Sequence, residues 1–158
     1  MVTDFFDSFL EELGQAMDID DLHHDDNNTC LIKFQTGLEV QIEPFEKGDF
    51  LLICSDLGHV APGRYREDVF REALKANGLP YPQYGTFAYS EQSDHLLLFG
   101  LLSFKELNGE KIASFLYPFM EKAVAWKEQI NGGEVPLATT STAGAATTSL
   151  GGLFGLKP

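Results

Sequence analysis

Positive charge is scarce in this chain. Its 158 residues hold 11 Lys and Arg against 24 Asp and Glu, which gives a formal net charge of −13. The first 28 residues contain nine acidic residues and no Lys or Arg. Because a nucleic-acid backbone requires clustered Lys and Arg, and an anionic membrane surface attracts basic segments, the composition argues against both partners. An acidic field also keeps a protein with apolar patches in solution.

Cysteine and long apolar runs are scarce as well. The two cysteines, Cys30 and Cys54, each lie within an apolar strand pattern and form no CxxC motif. This placement is typical of buried thiols in a reducing compartment. No apolar run approaches the ~20 residues that span a bilayer, and the first residues lack the pattern of a signal peptide. We therefore expect a cytoplasmic protein.

Signatures of catalysis are missing too. The sequence contains no P-loop, GxGxxG or GxSxG motif. Cys30 or Cys54 with His59 or His95 is a weak catalytic constellation, and core thiols with surface imidazoles are the favoured interpretation. Residues 23–26, His-His-Asp-Asp, suggest a metal cluster, but adjacent loop residues point in different directions and a solvated loop is favoured. We expect a binding protein with no catalytic residue, no metal and no cofactor.

What the chain does have is a clear order of elements. Apolar periodicity, caps and turn residues predict three helices and five strands. The helices are helix 1 over Thr3–Met17, helix 2 over Arg64–Asn77 and a third helix that Asn108 caps. The strands are a hairpin over 30–43 that turns at Thr36-Gly37, strand 3 over Phe50–Leu57, and two strands over Tyr84–Ser90 and Leu96–Phe104. Strand 3 is nearly continuously apolar, which indicates burial on both faces, and Pro118 should kink the last helix. The order predicts an α+β fold, helix–three strands–helix–two strands–helix, with a twisted antiparallel sheet packed with helices.

The composition changes after Gly132-Gly133. Residues 138–149 are all Ala, Thr, Ser or Gly, and large apolar residues return at Leu150, Leu153, Phe154 and Leu156. Such a composition is typical of linkers. The sequence therefore predicts one domain over residues 1–132 and a flexible C-terminal tail over 133–158.

Several apolar residues break the expected patterns. Leu31 lies on the otherwise polar phase of the first strand, Phe45 lies in a turn, and the adjacent Phe5 and Phe6 are hard to bury in one core. Each alone is unremarkable, since single exposed apolar residues are common. Together they indicate apolar surface that a partner covers.

Four groups of residues carry a resemblance to a known family. They are Phe9-Leu10-Glu11-Glu12-Leu13-Gly14 with Ile19-Asp20, Leu51-Leu52-Ile53 with Leu57-Gly58, Leu74-Lys75-Ala76-Asn77, and Gly85-Thr86-Phe87-Ala88-Tyr89 with Leu96-Leu97-Leu98-Phe99. Together with the order of elements, they resemble the Tir-chaperone family, the class I chaperones of bacterial type III secretion, over about residues 5–130.

The resemblance implies an ATP-independent cytoplasmic homodimer with a role in virulence. It would bind the N-terminal region of secreted effectors as an extended chain and deliver them to the secretion apparatus. The expected effector-binding residues are Phe5, Phe9, Leu31, Phe34, Val40 and Phe45. The expected dimer-interface residues are Val69, Phe70, Ala73, Leu74, Phe87 and Tyr89. Two alternatives stay open: an adaptor that binds a folded partner, and a small enzyme that uses Cys and His.

Overall fold

The computed structural model describes residues 2–138, and it describes side chains from Phe5 onward. The elements are α1 (Val2–Met17), β1 (Cys30–Lys33), β2 (Glu39–Phe45), β3 (Phe50–His59), α2 (Arg64–Asn77), β4 (Thr86–Ser90), β5 (His95–Ser103) and α3 (Gly109–Asn131). Short 3-10 turns follow β2 and β5, at 46–48 and 104–106. The predicted helix–three strands–helix–two strands–helix order is confirmed.

The five strands form one antiparallel sheet in the order β1-β2-β3-β5-β4. Since β5 pairs with both β3 and β4, it lies inside the sheet, and β1 and β4 are its edges. The register aligns Leu31 with Gln41, Gln41 with Cys54, and Cys54 with Phe99. Residues from four strands therefore form continuous rows across the sheet.

The helices of the described range pack on one face of this sheet. Alternate residues of β3 and β5 face them and are fully buried, among them Leu51, Ile53 and Leu98. The ring centroids of Phe87 on β4 and Trp126 on α3 are 4.0 Å apart. Gly100 allows α3 to pass close over β5, because a Cβ at this position would lie 2.6 Å from the Phe115 ring and would displace it. The fold is therefore a two-layer arrangement with the core between the helices and the sheet.

The helices follow from their sequence patterns. On α1, Phe6, Phe9, Leu10 and Leu13 are buried at i, i+3, i+4 and i+7 spacing, as an amphipathic helix requires. The Asn108 side chain caps α3, since its Oδ1 accepts a hydrogen bond of 2.9 Å from the Lys111 N–H. The helix then continues through Pro118 to Asn131. No helix in residues 2–138 has both the length and the hydropathy that crossing a bilayer demands.

The prediction that β3 is buried on both faces is wrong for the described residues. Its buried residues alternate with partly buried ones such as Leu52 and Cys54 and with the exposed Asp56. The apolar run arises because both faces of this strand carry apolar side chains, although the helices cover only one.

The packed part of the chain also extends beyond the predicted boundary at residue 132. The Tyr65 hydroxyl donates a 2.8 Å hydrogen bond to the Glu134 carbonyl, and the Ala138 N–H donates one of 2.8 Å to the Glu72 carboxylate. Pro136 between them is buried. Residues 134–138 therefore lie along α2, and we name them the strap. The rest of the predicted tail lies outside the described residues.

Candidate partner-binding surfaces

The sheet face opposite the helices carries a strip of apolar side chains. We define the outer strip as Phe50, Leu52, Cys54, Leu97, Phe99 and Leu101, which alternate with the buried residues of β3 and β5. The register places Leu52 beside Leu101 and Cys54 beside Phe99. Leu101 is 44% exposed, and the other five are partly buried. Within residues 2–138 no helix covers the strip, so its apolar area meets solvent.

Two of the residues expected to contact a partner extend this strip. Leu31 of β1 is 48% exposed and shares a row with Cys54 and Phe99. Phe45 is 41% exposed and pairs with Phe50 at the end of the strip. Since β1 is an edge strand, its outer backbone groups lie beside Leu31 and are available to an added strand.

Phe5 lies on the helical layer, at the same end of the sheet as Phe45. Its ring packs edge-on against Phe104, with centroids 5.4 Å apart, and the side chain remains 55% exposed. The Phe104 N–H donates to the Asp49 carbonyl, which ties this aromatic pair to the β2–β3 turn. Phe45 and Phe5 therefore lie at the same end of the sheet, Phe45 on its outer face and Phe5 on the helical layer.

The structure does not bring the other three expected contact residues to this surface. Val40 is completely buried because it shares the helix-facing side of β2 with Ile42. Phe9 is 4% exposed and packs against Phe6 and Phe104. Phe34 is partly buried against the core. The sequence periodicity places Phe9 and Val40 on apolar faces, but these faces pack into the hydrophobic core of the same chain and do not face a partner.

The Cys/His alternative is disfavoured by the two thiols. Burial raises the pKa of Cys30, with a further increase from Asp25. Burial likewise raises the pKa of Cys54, reinforced by the Asp56 and Glu43 carboxylates. A nucleophilic thiolate requires the opposite shift.

The four histidines do not supply a base for those thiols. His95 pairs with Asp56, at 2.7 Å between Nδ1 and Oδ2, and packs edge-on against His59. In the part of the chain with described side chains, no hydrogen bond joins a cysteine to a histidine. Nor do three or more His, Cys, Asp and Glu side chains converge there as metal ligands would.

A second apolar surface lies between α2 and β4. The α2–β4 groove has a volume of about 150 Å³ and is lined by Phe70, Ala73, Leu74, Asn77, Phe87, Ala88, Tyr89 and Leu96. Five of the six residues expected at a dimer interface line it, and the sixth, Val69, is completely buried. Leu74 is the most exposed of the five, at 71%, while Ala73 and Phe87 belong to the core. Phe70 and Tyr89 are in edge-on contact, with their ring centroids 4.9 Å apart.

Asn77 is a residue of this groove that the sequence analysis did not assign to it. Its side-chain amide donates to the Phe87 carbonyl at 3.1 Å, and its Oδ1 accepts from the Phe87 N–H at 2.8 Å. These are the bonds that a neighbouring strand would make to β4. Asn77 therefore closes the β4 edge at Phe87 and fixes the end of α2 to the sheet.

His24 also has a role that the sequence analysis did not predict. The interpretation of residues 23–26 as a solvated loop holds for His23, whose side chain is 74% exposed, but not for His24, which is 17% exposed. His24 Nε2 lies 3.0 Å from the Asp7 carboxylate, and Nδ1 lies 2.7 Å from the Asp25 carbonyl. The bond to that carbonyl, with the negative charge of Asp7, raises the pKa of His24. The imidazole thus fastens the acidic α1–β1 loop to α1.

Comparison with known proteins decides the family. The model of the Tir chaperone protein (CesT) family matches residues 8–127. The chain belongs to the Tir chaperone protein family. The resemblance stated from the sequence is thereby confirmed. No curated protein sequence matches the chain.

Solved structures share the fold of this Tir chaperone family member. A chain of the Yersinia pestis type III secretion chaperone SycH in complex with a fragment of YscM2 has a TM-score of 0.58 at 21% identity, over 75% of this chain and 97% of that one. A chain of the HopA1–SchA chaperone–effector complex has a TM-score of 0.65 at 14% identity, over 78% and 94%. A chain of the ExoU–SpcU complex from the Pseudomonas aeruginosa type III secretion system has a TM-score of 0.57 at 17% identity, over 75% and 94%.

Proposed function

We propose that this Tir chaperone family member is a cytoplasmic type III secretion chaperone without enzymatic activity. It binds the N-terminal region of a secreted effector as an extended chain and delivers it to the export apparatus. The observation that carries the proposal is the outer strip, an apolar surface that no helix of residues 2–138 covers. Membership of the family supplies the class of partner.

The arrangement of the strip suits an extended chain. A segment that is ordered only on binding loses conformational entropy, so it needs apolar anchors distributed over a large surface. Leu31, Leu101, Phe45 and Phe5 supply such anchors around one end of the sheet. The outer edge of β1 adds main-chain hydrogen bonds. The net charge of −13 favours basic effector segments.

The second part of the proposal is a homodimer through the α2–β4 groove. Leu74 is 71% exposed beside Phe70 and Tyr89, on an apolar surface that a second copy can cover. Because Asn77 occupies the β4 edge at Phe87, the contact is made by side chains in the groove rather than by a sheet continuous across both copies. This leaves the outer strip of each protomer free for the effector.

A matched pair of leucine variants tests the effector surface. Leu101→Asp introduces a negative charge within the outer strip. Leu137→Asp is the control, because it introduces the same charge at a leucine that lies outside the strip and is 67% exposed. Each chain is used to isolate partners from the native cytosol. The proposal expects an unfolded effector segment to bind to the parent and to Leu137→Asp, and to be lost from Leu101→Asp. If the isolated partner is a folded protein and binds through its folded domain alone, the adaptor alternative is supported instead.

A further inference from the structure

The loop between α2 and β4 presents an aromatic side chain to solvent. Tyr81 is 90% exposed, more than any other large apolar residue whose side chain the structure describes. Pro80 and Pro82 flank it, and their rings restrict the backbone on both sides. An aromatic ring on a restricted backbone loses little conformational entropy when a partner covers it. Tyr81 therefore has the properties of a residue that contacts another protein.

The loop is fixed to the end of α2 beside the α2–β4 groove. The Gln83 side-chain amide donates to the Asn77 carbonyl at 3.0 Å and also to the Leu79 carbonyl, which closes the loop. The side chain of the same Asn77 bonds Phe87 in the groove. The exposed ring and the groove therefore belong to neighbouring parts of one surface. Because Tyr81 is 90% exposed, it does not fill the groove of its own chain.

The groove matches an aromatic ring in size and chemistry. Its volume is about 150 Å³, and apolar cavities of about 150 Å³ accept a benzene-sized group. A tyrosine that enters also needs a hydrogen-bond partner for its hydroxyl. Asn77 lines the groove, where one N–H of its amide donates to the Phe87 carbonyl, and the amide has a second N–H to donate. The groove therefore has both the volume and the polar group that a tyrosine side chain requires.

The charges beside the groove favour a second copy as the source of this ring. Residues 64–85, which comprise α2 and the loop, contain four Lys and Arg and three Asp and Glu, whereas the whole chain has a net charge of −13. Two acidic chains can therefore meet here without bringing their negative charges together. A basic effector segment is instead attracted to the acidic remainder of the chain. Charge and side-chain chemistry together select another copy of this protein.

We propose that Tyr81 of each protomer inserts into the α2–β4 groove of the other copy. The inference rests on the proposed dimer, because it names the side chain that fills the interface. Since the loop and the groove are adjacent, one two-fold axis between the copies produces both insertions at once. The contact then closes within the pair and leaves no free groove for a third copy.

The first test compares Tyr81 with an exposed tyrosine elsewhere in the full chain. Tyr81→Ser removes the proposed anchor, and the matched control Tyr117→Ser removes a ring that is 51% exposed on α3. Sedimentation equilibrium gives the dimer dissociation constant of each chain, and circular dichroism checks that each is folded. Tyr81→Ser should raise the dissociation constant at least about 25-fold, because the dimer loses two anchors that contribute about fivefold or more each. The control should leave the constant unchanged.

Photo-crosslinking tests the groove as the receiving site. Azidophenylalanine at position 81 is close to tyrosine in size and couples to neighbouring groups on irradiation. The full chain that carries it is mixed with isotope-labelled parent chain, so that mass spectrometry distinguishes contacts between copies from contacts within one. The proposal expects crosslinks from position 81 to labelled peptides that contain Phe70, Leu74 or Tyr89. Crosslinks between copies that reach only peptides outside the groove would overturn the insertion.

The remaining outcomes separate this inference from the proposed dimer. If Tyr81→Ser dimerises as tightly as the parent, the dimer stands and the role of Tyr81 is wrong. The same conclusion follows if Tyr117→Ser weakens the dimer equally. If the parent itself sediments as a monomer, the dimer proposal fails and the insertion fails with it. Loss of effector binding in Tyr81→Ser with an unchanged dimer would assign this residue to the effector surface instead.

Discussion

The two apolar surfaces of this protein differ in shape and in the state of the neighbouring sheet edge. The outer strip is broad, runs along two central strands, and lies in the same sheet as the edge strand β1. The α2–β4 groove is narrow, and Asn77 has already bonded the backbone of its edge strand. A broad surface with an open edge suits an extended chain, whereas a narrow groove with a closed edge suits a few side chains.

This difference predicts that the two surfaces can be disabled independently. Leu101→Asp should weaken binding of an effector N-terminal peptide by about 1–3 kcal/mol, roughly 5- to 150-fold, because a buried aliphatic contact contributes about that much. Leu74→Asp should weaken the proposed dimer by a similar factor. Calorimetric titration and sedimentation on both variants give the two readouts. If either substitution abolishes both activities in a folded protein, the surfaces are not separate.

The same comparison extends to Leu31, Phe45 and Phe5. Replacing any one by Ser should reduce effector binding within the same range of 1–3 kcal/mol while the dimer remains, because each is an exposed apolar anchor. Replacing the exposed His23 by Gln is the control and should leave the calorimetric affinity unchanged. If the His23 variant loses effector binding and the three Ser variants keep it, binding depends on charge and not on apolar anchors.

Opening the β4 edge should sharpen the comparison. Asn77→Ala removes the two hydrogen bonds to Phe87, whose N–H and C=O then lack these partners. Unfolding in urea should show a loss of about 1–3 kcal/mol, the cost of unsatisfied partly buried polar groups. Asn77→Asp keeps an acceptor for the Phe87 N–H and should fall between Ala and the parent. Equal stability of all three chains would show that the edge is not closed by this side chain.

The strap should contribute less than Asn77. A chain that ends at residue 138 keeps the bonds to Tyr65 and Glu72, whereas a chain that ends at residue 133 loses both and also the buried Pro136. The shorter chain should be about 1–2 kcal/mol less stable, which lowers Tm by roughly 3–8 °C at this size. Thermal unfolding of both chains measures the difference. Identical Tm values would restore the boundary at residue 132.

The smallest expected effect concerns the loop beside the β1 edge. Because the pKa of His24 is raised above its ordinary value of 6.5, its stabilisation is complete below that value and is lost as pH rises through the higher pKa of the folded state. NMR titration should show His24 titrating above its ordinary value of 6.5. His24→Gln should remove this part of the pH dependence of unfolding. A pKa of His24 at or below 6.5 would contradict the contacts with Asp25 and Asp7.

Local pattern was sufficient for much of this fold. The i, i+3, i+4 spacing on α1, the Asn108 cap and the alternation in the first hairpin concern neighbours in sequence, and each predicted its element correctly. The exposure of Leu31 also followed from sequence, because period-two alternation distinguishes the two faces of a strand. Phe45 was expected in a turn, but it is the last residue of β2, where it is exposed on the outer face. Apolar residues that break such a pattern were informative about the surface.

Only the tertiary structure decided which apolar residues are buried inside the chain and which remain for a partner. Phe9 and Phe5 share one helix, and Ile53 and Leu52 share one strand, yet only the first of each pair is covered by the core. Helix-to-sheet packing determines this, and it depends on residues distant in sequence. The same holds for His24 with Asp7, for Asn77 with Phe87 and for the strap on α2. Each is a polar contact whose partner the fold supplies, so composition and periodicity carry no signal for it.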